Sequence, residues 1–210
     1  MYVYINKLKK MFKKQDENNI KMILVGSSGA GKTNIINFLI GEKFQSIALS
    51  TTSSSYIEKQ ITIDNKLYEV EIWDTAGQEK FHSLTKIFIK GAKIVLFVYE
   101  LTSRKSFEEI DFWVKTVKDL IGEQPVIGLA GNKKDLYLQE EVNDEEGVQK
   151  GEEIGAIFKV TSAKTGFGIS ELFEQLMREY IKKSGKGDFS DDKALNLQKR
   201  NLKKKRKCCN

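Results

Sequence analysis

The feature that most constrains this chain is Gly26-Ser27-Ser28-Gly29-Ala30-Gly31-Lys32-Thr33. It follows a mostly apolar run, Ile20 to Val25, and opens into Thr33-Asn34-Ile35-Ile36-Asn37-Phe38-Leu39-Ile40. That order is strand, glycine-rich loop, helix, the context in which such a loop cradles phosphate. The glycines let the backbone curl so that successive N–H groups point at one anion. The N-terminus of the following helix adds partial positive charge. Ser28, Gly29, Ala30, Gly31, Lys32, Thr33 and Asn34 are therefore the candidate phosphate contacts. Lys32 would reach the β- and γ-phosphates, and the Thr33 hydroxyl would ligate Mg2+.

Three further strand-end motifs follow. Trp73-Asp74-Thr75-Ala76-Gly77-Gln78-Glu79 closes the alternating run Leu67 to Trp73. An Asp at such a position belongs near the magnesium ion, so Asp74 joins Thr33 as a metal candidate. Gly77 can offer its N–H to the γ-phosphate because no side chain blocks the approach. Gln78 has both a donor and an acceptor and suits orienting an attacking water. Taken alone, the same stretch also reads as a strand-end turn with a solvent-facing Gln. Asn132-Lys133-Lys134-Asp135 follows the apolar run Val126 to Ala130. The Asp135 carboxylate can accept a fork of hydrogen bonds from guanine, which adenine cannot supply. Lys133 can lay its aliphatic stem over the base. Thr161-Ser162-Ala163-Lys164 follows Ile157 to Val160, where a small residue lets a backbone N–H approach the guanine O6. Alone, these last two read as a charged loop and a Ser/Thr turn. Four motifs in this order, each at a strand end, point to one guanine-nucleotide site.

With these residues in view, the chain resembles the Rab family of small GTPases over roughly 20–182. Further stretches carrying the resemblance are Lys90-Gly91-Ala92, Phe97-Val98-Tyr99-Glu100-Leu101-Thr102 and Glu171-Leu172-Phe173. The resemblance implies a molecular switch that binds GTP and GDP with Mg2+ and hydrolyses GTP slowly, with Lys32 and Gln78 as the catalytic pair. It makes Thr51 the switch threonine that ligates the metal and senses the γ-phosphate, and Phe44 the aromatic residue flanking the guanine. Tyr56, Trp73 and Phe88 fall on the aromatic trio presented to effectors. The implied partners are an exchange factor, a GTPase-activating protein, an escort or GDP-dissociation-inhibitor chaperone, and effectors in vesicular trafficking. Where the family has an apolar run after the switch threonine, this chain has Thr52-Ser53-Ser54-Ser55-Tyr56, which throws effector identity open. A non-hydrolysing GTP-binding scaffold is the competing reading.

The coarse periodicity predicts an α/β fold: strands near 20–25, 56–63, 67–73, 93–99, 126–130 and 157–160, and helices near 32–40, 103–121, 142–154 and 169–183. Asp64-Asn65 is a hairpin signal between the second and third strands. Phe107, Ile110, Val114, Val117 and Ile121 form one core-facing stripe, and Ile169, Leu172, Phe173, Leu176 and Tyr180 another. The alternation implies a single P-loop domain, 20–183, with a six-stranded mostly parallel sheet and helices on both faces. Ligands then bind beyond the carboxyl ends of the strands, where all four motifs fall.

The chain of 210 residues has a net charge of +6, but residues 1–19 carry +3 and 182–210 carry +8, leaving −5 for the rest. The basic character belongs to the ends, which argues against a nucleic-acid-binding core. Residues 1–19 form a basic extension in which Ile5, Leu8 and Phe12 allow a short membrane-surface helix, with a disordered arm as the alternative. Residues 184–210 read as a disordered tail ending in Lys203-Lys204-Lys205-Arg206-Lys207-Cys208-Cys209-Asn210. Basic residues beside near-terminal cysteines favour lipidation, and the pair Cys208 and Cys209 resembles the doubly prenylated ends of Rab proteins. The expected location is the cytoplasmic face of an intracellular membrane, in exchange with cytosol.

Overall fold

The computed structural model describes residues 19–44, 55–75, 88–121 and 124–185. The basic extension up to residue 18, the tail from 186, and Thr51, Gly77, Gln78, Cys208 and Cys209 lie outside the described residues.

Six strands form one sheet: β1 (Asn19–Val25), β2 (Ser55–Ile63), β3 (Lys66–Asp74), β4 (Ile94–Glu100), β5 (Val126–Asn132) and β6 (Ile157–Val160). Their spatial order is β2-β3-β1-β4-β5-β6. Only β2 runs antiparallel to its neighbour; all other pairs are parallel. The β2–β3 hairpin turns at Asp64 and Asn65 with φ of 49° and 61°, the two-residue turn that matches strand twist and that Asn and Asp tolerate.

The registers bring the carboxyl ends of the parallel strands to one edge. Leu24 is level with Asp74, Val25 with Phe97, Glu100 with Asn132, and Gly131 with Val160. Each loop that follows leaves from that edge.

Helices cover both faces: α1 (Lys32–Ile40), α2 (Arg104–Glu108), α3 (Ile110–Leu120), α4 (Asp144–Ile154) and α5 (Ile169–Lys183). On one face, Met22 and Leu24 share a core with Ile35 and Ile36 of α1 and with Leu172, Phe173 and Leu176 of α5. On the other, Ile23, Val25 and Phe97 share a core with Ile110, Trp113, Val114 and Val117 of α3 and Ile154 of α4. Alternate residues of β1 thus serve opposite cores, as the pleat requires. The predicted α5 stripe is buried throughout.

The structure corrects the helix expected over 103–121, which is two segments meeting at Glu109. Ser103 caps the first, its hydroxyl accepting from the Ser106 N–H. The backbone ladder resumes at once, with Glu109 N–H bonded to Lys105 O and Trp113 N–H to Glu109 O. The hydrophobic period runs unbroken across the joint, so periodicity does not register it. The helix expected from 142 starts at Asp144, set by a capping box between Asn143 and Glu146. A short 3-10 helix over Lys134–Gln139 had no periodic signal.

At the amino edge of the sheet, Lys93, Pro125 and Val126 line a cavity of about 290 Å³ together with Tyr180, Lys183 and Ser184. The end of α5 is therefore at the opposite pole from the loops.

One buried polar atom stands out in the second core. The Tyr99 hydroxyl is fully buried and has no hydrogen-bond partner among the described residues. Burial raises its pKa far above the ordinary phenol value, and the carboxylates of Asp144 and Glu146 push the same way. Its ring fits because Gly147 of α4 carries no side chain: a Cβ there would strike both the Phe158 ring and the Tyr99 hydroxyl. Two substitutions at this spot have opposite expected signs. Tyr99→Phe removes an unpaired buried group and is expected to be neutral or stabilising by up to ~1 kcal/mol. Gly147→Ala overpacks it and is expected to cost ~1–3 kcal/mol. Urea unfolding of the two variants checks both.

Candidate nucleotide site

The loop between β1 and α1 is built on glycines. Gly31, immediately before α1, has φ of 92°, and a Cβ there would run into the Asn132 side-chain nitrogen. Only glycine permits both that conformation and that approach. Ser28 and Gly29 are exposed at the loop tip, Ala30 is buried beneath it, and Asn34 is buried in the first turn of α1.

Lys32 is 5% exposed. Its ammonium crosses the loop and donates to the carbonyls of Gly26 and Ser27, both at 2.8 Å. Burial pushes its pKa down to about 8, with the Asp74 carboxylate pulling the other way. Asp74, at the end of β3, is also buried. Its pKa is raised by burial, opposed by the Thr33 hydrogen bond and by Lys32. Thr33 Oγ1 donates to Asp74 Oδ2 at 2.7 Å. The other oxygen, Asp74 Oδ1, is buried with no hydrogen-bond partner among the described residues. A hydroxyl and an orphaned carboxylate oxygen side by side are hard oxygen donors, a set that fits Mg2+. The neighbouring Thr75 hydroxyl ties β3 back to β1 by donating to Leu24 O at 2.7 Å.

Asn132, at the end of β5, is the joint between loops distant in sequence. Its Nδ2 donates to Ala30 O at 2.8 Å, across the phosphate-type loop. Its Oδ1 accepts from the Thr161 hydroxyl at 3.3 Å and from the Ala163 N–H at 3.1 Å. Asp135 accepts from the Ser162 hydroxyl at 2.6 Å, and Lys164 lies 3.9 Å from its other oxygen. Ser162 thereby orients the carboxylate expected to read the base. Lys133 sits in the left-handed region at φ of 70° and pairs its ammonium with Glu100. Phe44 is exposed beyond the end of α1.

The structure thus brings together Lys32, Thr33, Asp74, Asn132, Lys133, Asp135, Ser162, Ala163 and Lys164 at one edge. The Ala163 N–H donates to Asn132, a bond that the motif alone does not disclose. Glu100 and Thr75 lie inside stretches quoted above, but the motifs do not disclose the contacts that they or Glu109 make. Each acts across a strand-to-strand or loop-to-helix contact that no local pattern records.

The Ras family model matches residues 21–182. The mouse "Ras-related protein Rab-31" is 35% identical over 190 residues, covering 90% of this chain and 97% of that protein. The Dictyostelium discoideum "Ras-related protein Rab-5A" is 34% identical over 191 residues, covering 90% and 95%. The chain belongs to the Rab family of small GTPases.

In this Rab-family chain the aromatic trio is contiguous. Tyr56 stacks on Trp73 with centroids 4.7 Å apart, and Phe88 lies 5.4 Å from Trp73. Trp73 is the buried middle member, and Tyr56 and Phe88 are half-buried on either side of it. The Lys21 ammonium lies 4.9 Å from the Trp73 ring.

Asn132→Ala removes the bond to Ala30 and leaves the Ala163 N–H and the Thr161 hydroxyl without their acceptor. Losing several buried hydrogen bonds at once is expected to destabilise the domain by ~2–4 kcal/mol. Denaturant midpoints of the parent and Asn132→Ala proteins, compared at one magnesium and GDP concentration, measure it.

Proposed function

We propose that this protein is a GTP- and GDP-binding switch of vesicular trafficking that hydrolyses GTP slowly. The observation that carries the proposal is the Asn132 bond to Ala30, which locks a guanine-reading loop onto a phosphate-binding loop at one sheet edge. Ser28 to Asn34 surround the phosphates, with backbone N–H groups and Lys32 facing their charge. Asp135 takes the guanine N1–H and amino group, Lys133 and Phe44 flank the base, and Ser162, Ala163 and Lys164 close over it. Thr33, Thr51 and Asp74 would hold Mg2+, which would neutralise charge on the phosphates.

Hydrolysis breaks the bond between the γ-phosphorus and the bridging oxygen, with a water attacking in line. Gln78 orients that water, and Lys32 meets the charge that develops. Phosphate near the Lys32 ammonium also favours its protonated form, against the burial that lowers its pKa. No arginine is proposed to act within the chain, so the rate depends on a GTPase-activating protein. Loss of the γ-phosphate releases Thr51 and Gly77 and alters which effectors bind. An exchange factor reloads the switch. Prenyl groups on Cys208 and Cys209, with the basic tail, place it on an intracellular membrane, and a GDP-dissociation-inhibitor-type chaperone carries it through the cytosol.

Asp135→Asn replaces the carboxylate fork by an amide that can donate to the second carbonyl of xanthine. GDP affinity is expected to fall by about a hundredfold or more, with XDP preferred. Competition between the two nucleotides on the purified variant reads this directly, and undiminished GDP binding would dissociate Asp135 from the base.

Gln78→Leu keeps bulk and loses both hydrogen-bonding groups. Single-turnover GTP hydrolysis is expected to slow by about tenfold or more while GTP affinity changes little. Hydrolysis at the parent rate would assign the water to another group.

A further inference from the structure

We infer that Glu109 is a positioning residue for the phosphate loop, acting through the side chain of Ser27. The inference rests on the reading of Ser28 to Thr33 as that loop. Glu109 is 82 residues from Ser27 in sequence, yet its Oε2 accepts directly from the Ser27 hydroxyl. The carboxylate belongs to the one residue between α2 and α3, the joint where the expected continuous helix divides. Its other oxygen lies 3.8 Å from the Lys105 ammonium, and Lys105 is 84% exposed, so that contact is a surface pair of little consequence. The bond to Ser27 is the one that faces inward.

Ser27 is well placed to transmit it. Its carbonyl accepts from Lys32 Nζ at 2.8 Å. Glu109 therefore grips one side of a peptide unit whose neighbour receives the lysine ammonium. Farther round the same loop, Ala30 O is held by Asn132. Between these two anchors lie only Ser28 and Gly29, both exposed. The arc Ser27–Ala30 is tied at its first residue by Glu109 and Lys32 and at its last by Asn132, so its shape is set from its two ends. Asn132 fixes the end toward the base, and Glu109 fixes the end toward β1. The α3 helix, buried through Ile110, Trp113, Val114 and Val117, gives the second anchor a rigid base.

Removing an anchor loosens the curl that aims the N–H groups, so bound nucleotide is released sooner. The experiment is the release rate of fluorescent GDP from the full-length protein in Mg2+. The proteins compared are the parent, Ser27→Ala, Glu109→Ala, Glu109→Gln and the Ser27→Ala/Glu109→Ala double variant. Each alanine variant is expected to release GDP about tenfold faster, the effect of one lost charge-assisted hydrogen bond. The double variant is expected to be no faster than the faster single one, because both substitutions remove the same bond. Glu109→Gln, which keeps an acceptor oxygen at the same reach, is expected to fall between the parent and Glu109→Ala. A purely structural role of α3 would give neither the non-additivity nor the rescue. If Glu109→Ala does not fold, Ser27→Ala and Glu109→Gln carry the same comparison. Release at the parent rate, or single effects that multiply in the double variant, overturns the inference and leaves the nucleotide site standing. A parent protein that retains no GDP overturns the nucleotide reading itself.

Discussion

Everything at the working edge depends on one amide. Asn132 is almost fully buried, and both ends of its side chain are engaged. A buried amide is costly unless every group is paired, and here the pairing spans three segments that the chain visits at about residues 30, 132 and 162. The amide can reach them only because Gly31 lacks a side chain and because β5 ends level with β4 and β6. Register, glycine placement and hydrogen bonding are thus one constraint seen at three scales. A slip of one residue in the β5 pairing would turn the amide to the other face of the sheet.

Around that joint two opposite charges are held out of water. Lys32 and Asp74 are both drawn out of water and both shifted toward their neutral forms. Each is partly steadied by the other and by local hydrogen bonds, Thr33 for the acid and two carbonyls for the base. Neither arrangement exhausts its partner: one Asp74 oxygen has none among the described residues. A buried cation and a buried carboxylate that keeps one oxygen uncommitted form a constellation suited to a charged ligand.

Much of this was legible in the sequence, and the reason is local. The glycine loop, Asp74, the Asn132–Asp135 run and the Thr161–Lys164 run each announce themselves because a strand end followed by special residues is a short-range pattern. The strands and the α5 stripe were readable by the same logic, since burial follows period. The division at Glu109 was not, because the stripe from Phe107 to Ile121 keeps its period through the joint. The 3-10 turn after Lys133 was not, because it is held by a left-handed Lys133 and by the bond from Lys134 N–H to Thr161 O, a partner 27 residues away. The contacts of Glu100, Thr75 and Glu109 were invisible for the same cause, although the first two lie in stretches that the sequence singles out. Their partners are chosen by the folded sheet, and an acidic residue on a helix looks the same whether it faces water or a loop.

The cavity flanked by Lys93, Val126 and Ser184 has a meaning beyond packing. It marks the pole at which α5 finishes and at which β1 begins, so both directions of chain continuation depart from the back of the molecule. The loop edge and the points at which β1 begins and α5 finishes are thus on opposite poles of the described domain. The length of the parallel strands separates that pole from the loop edge, so the sequence that enters β1 or leaves α5 can vary without touching Asn132 and its partners.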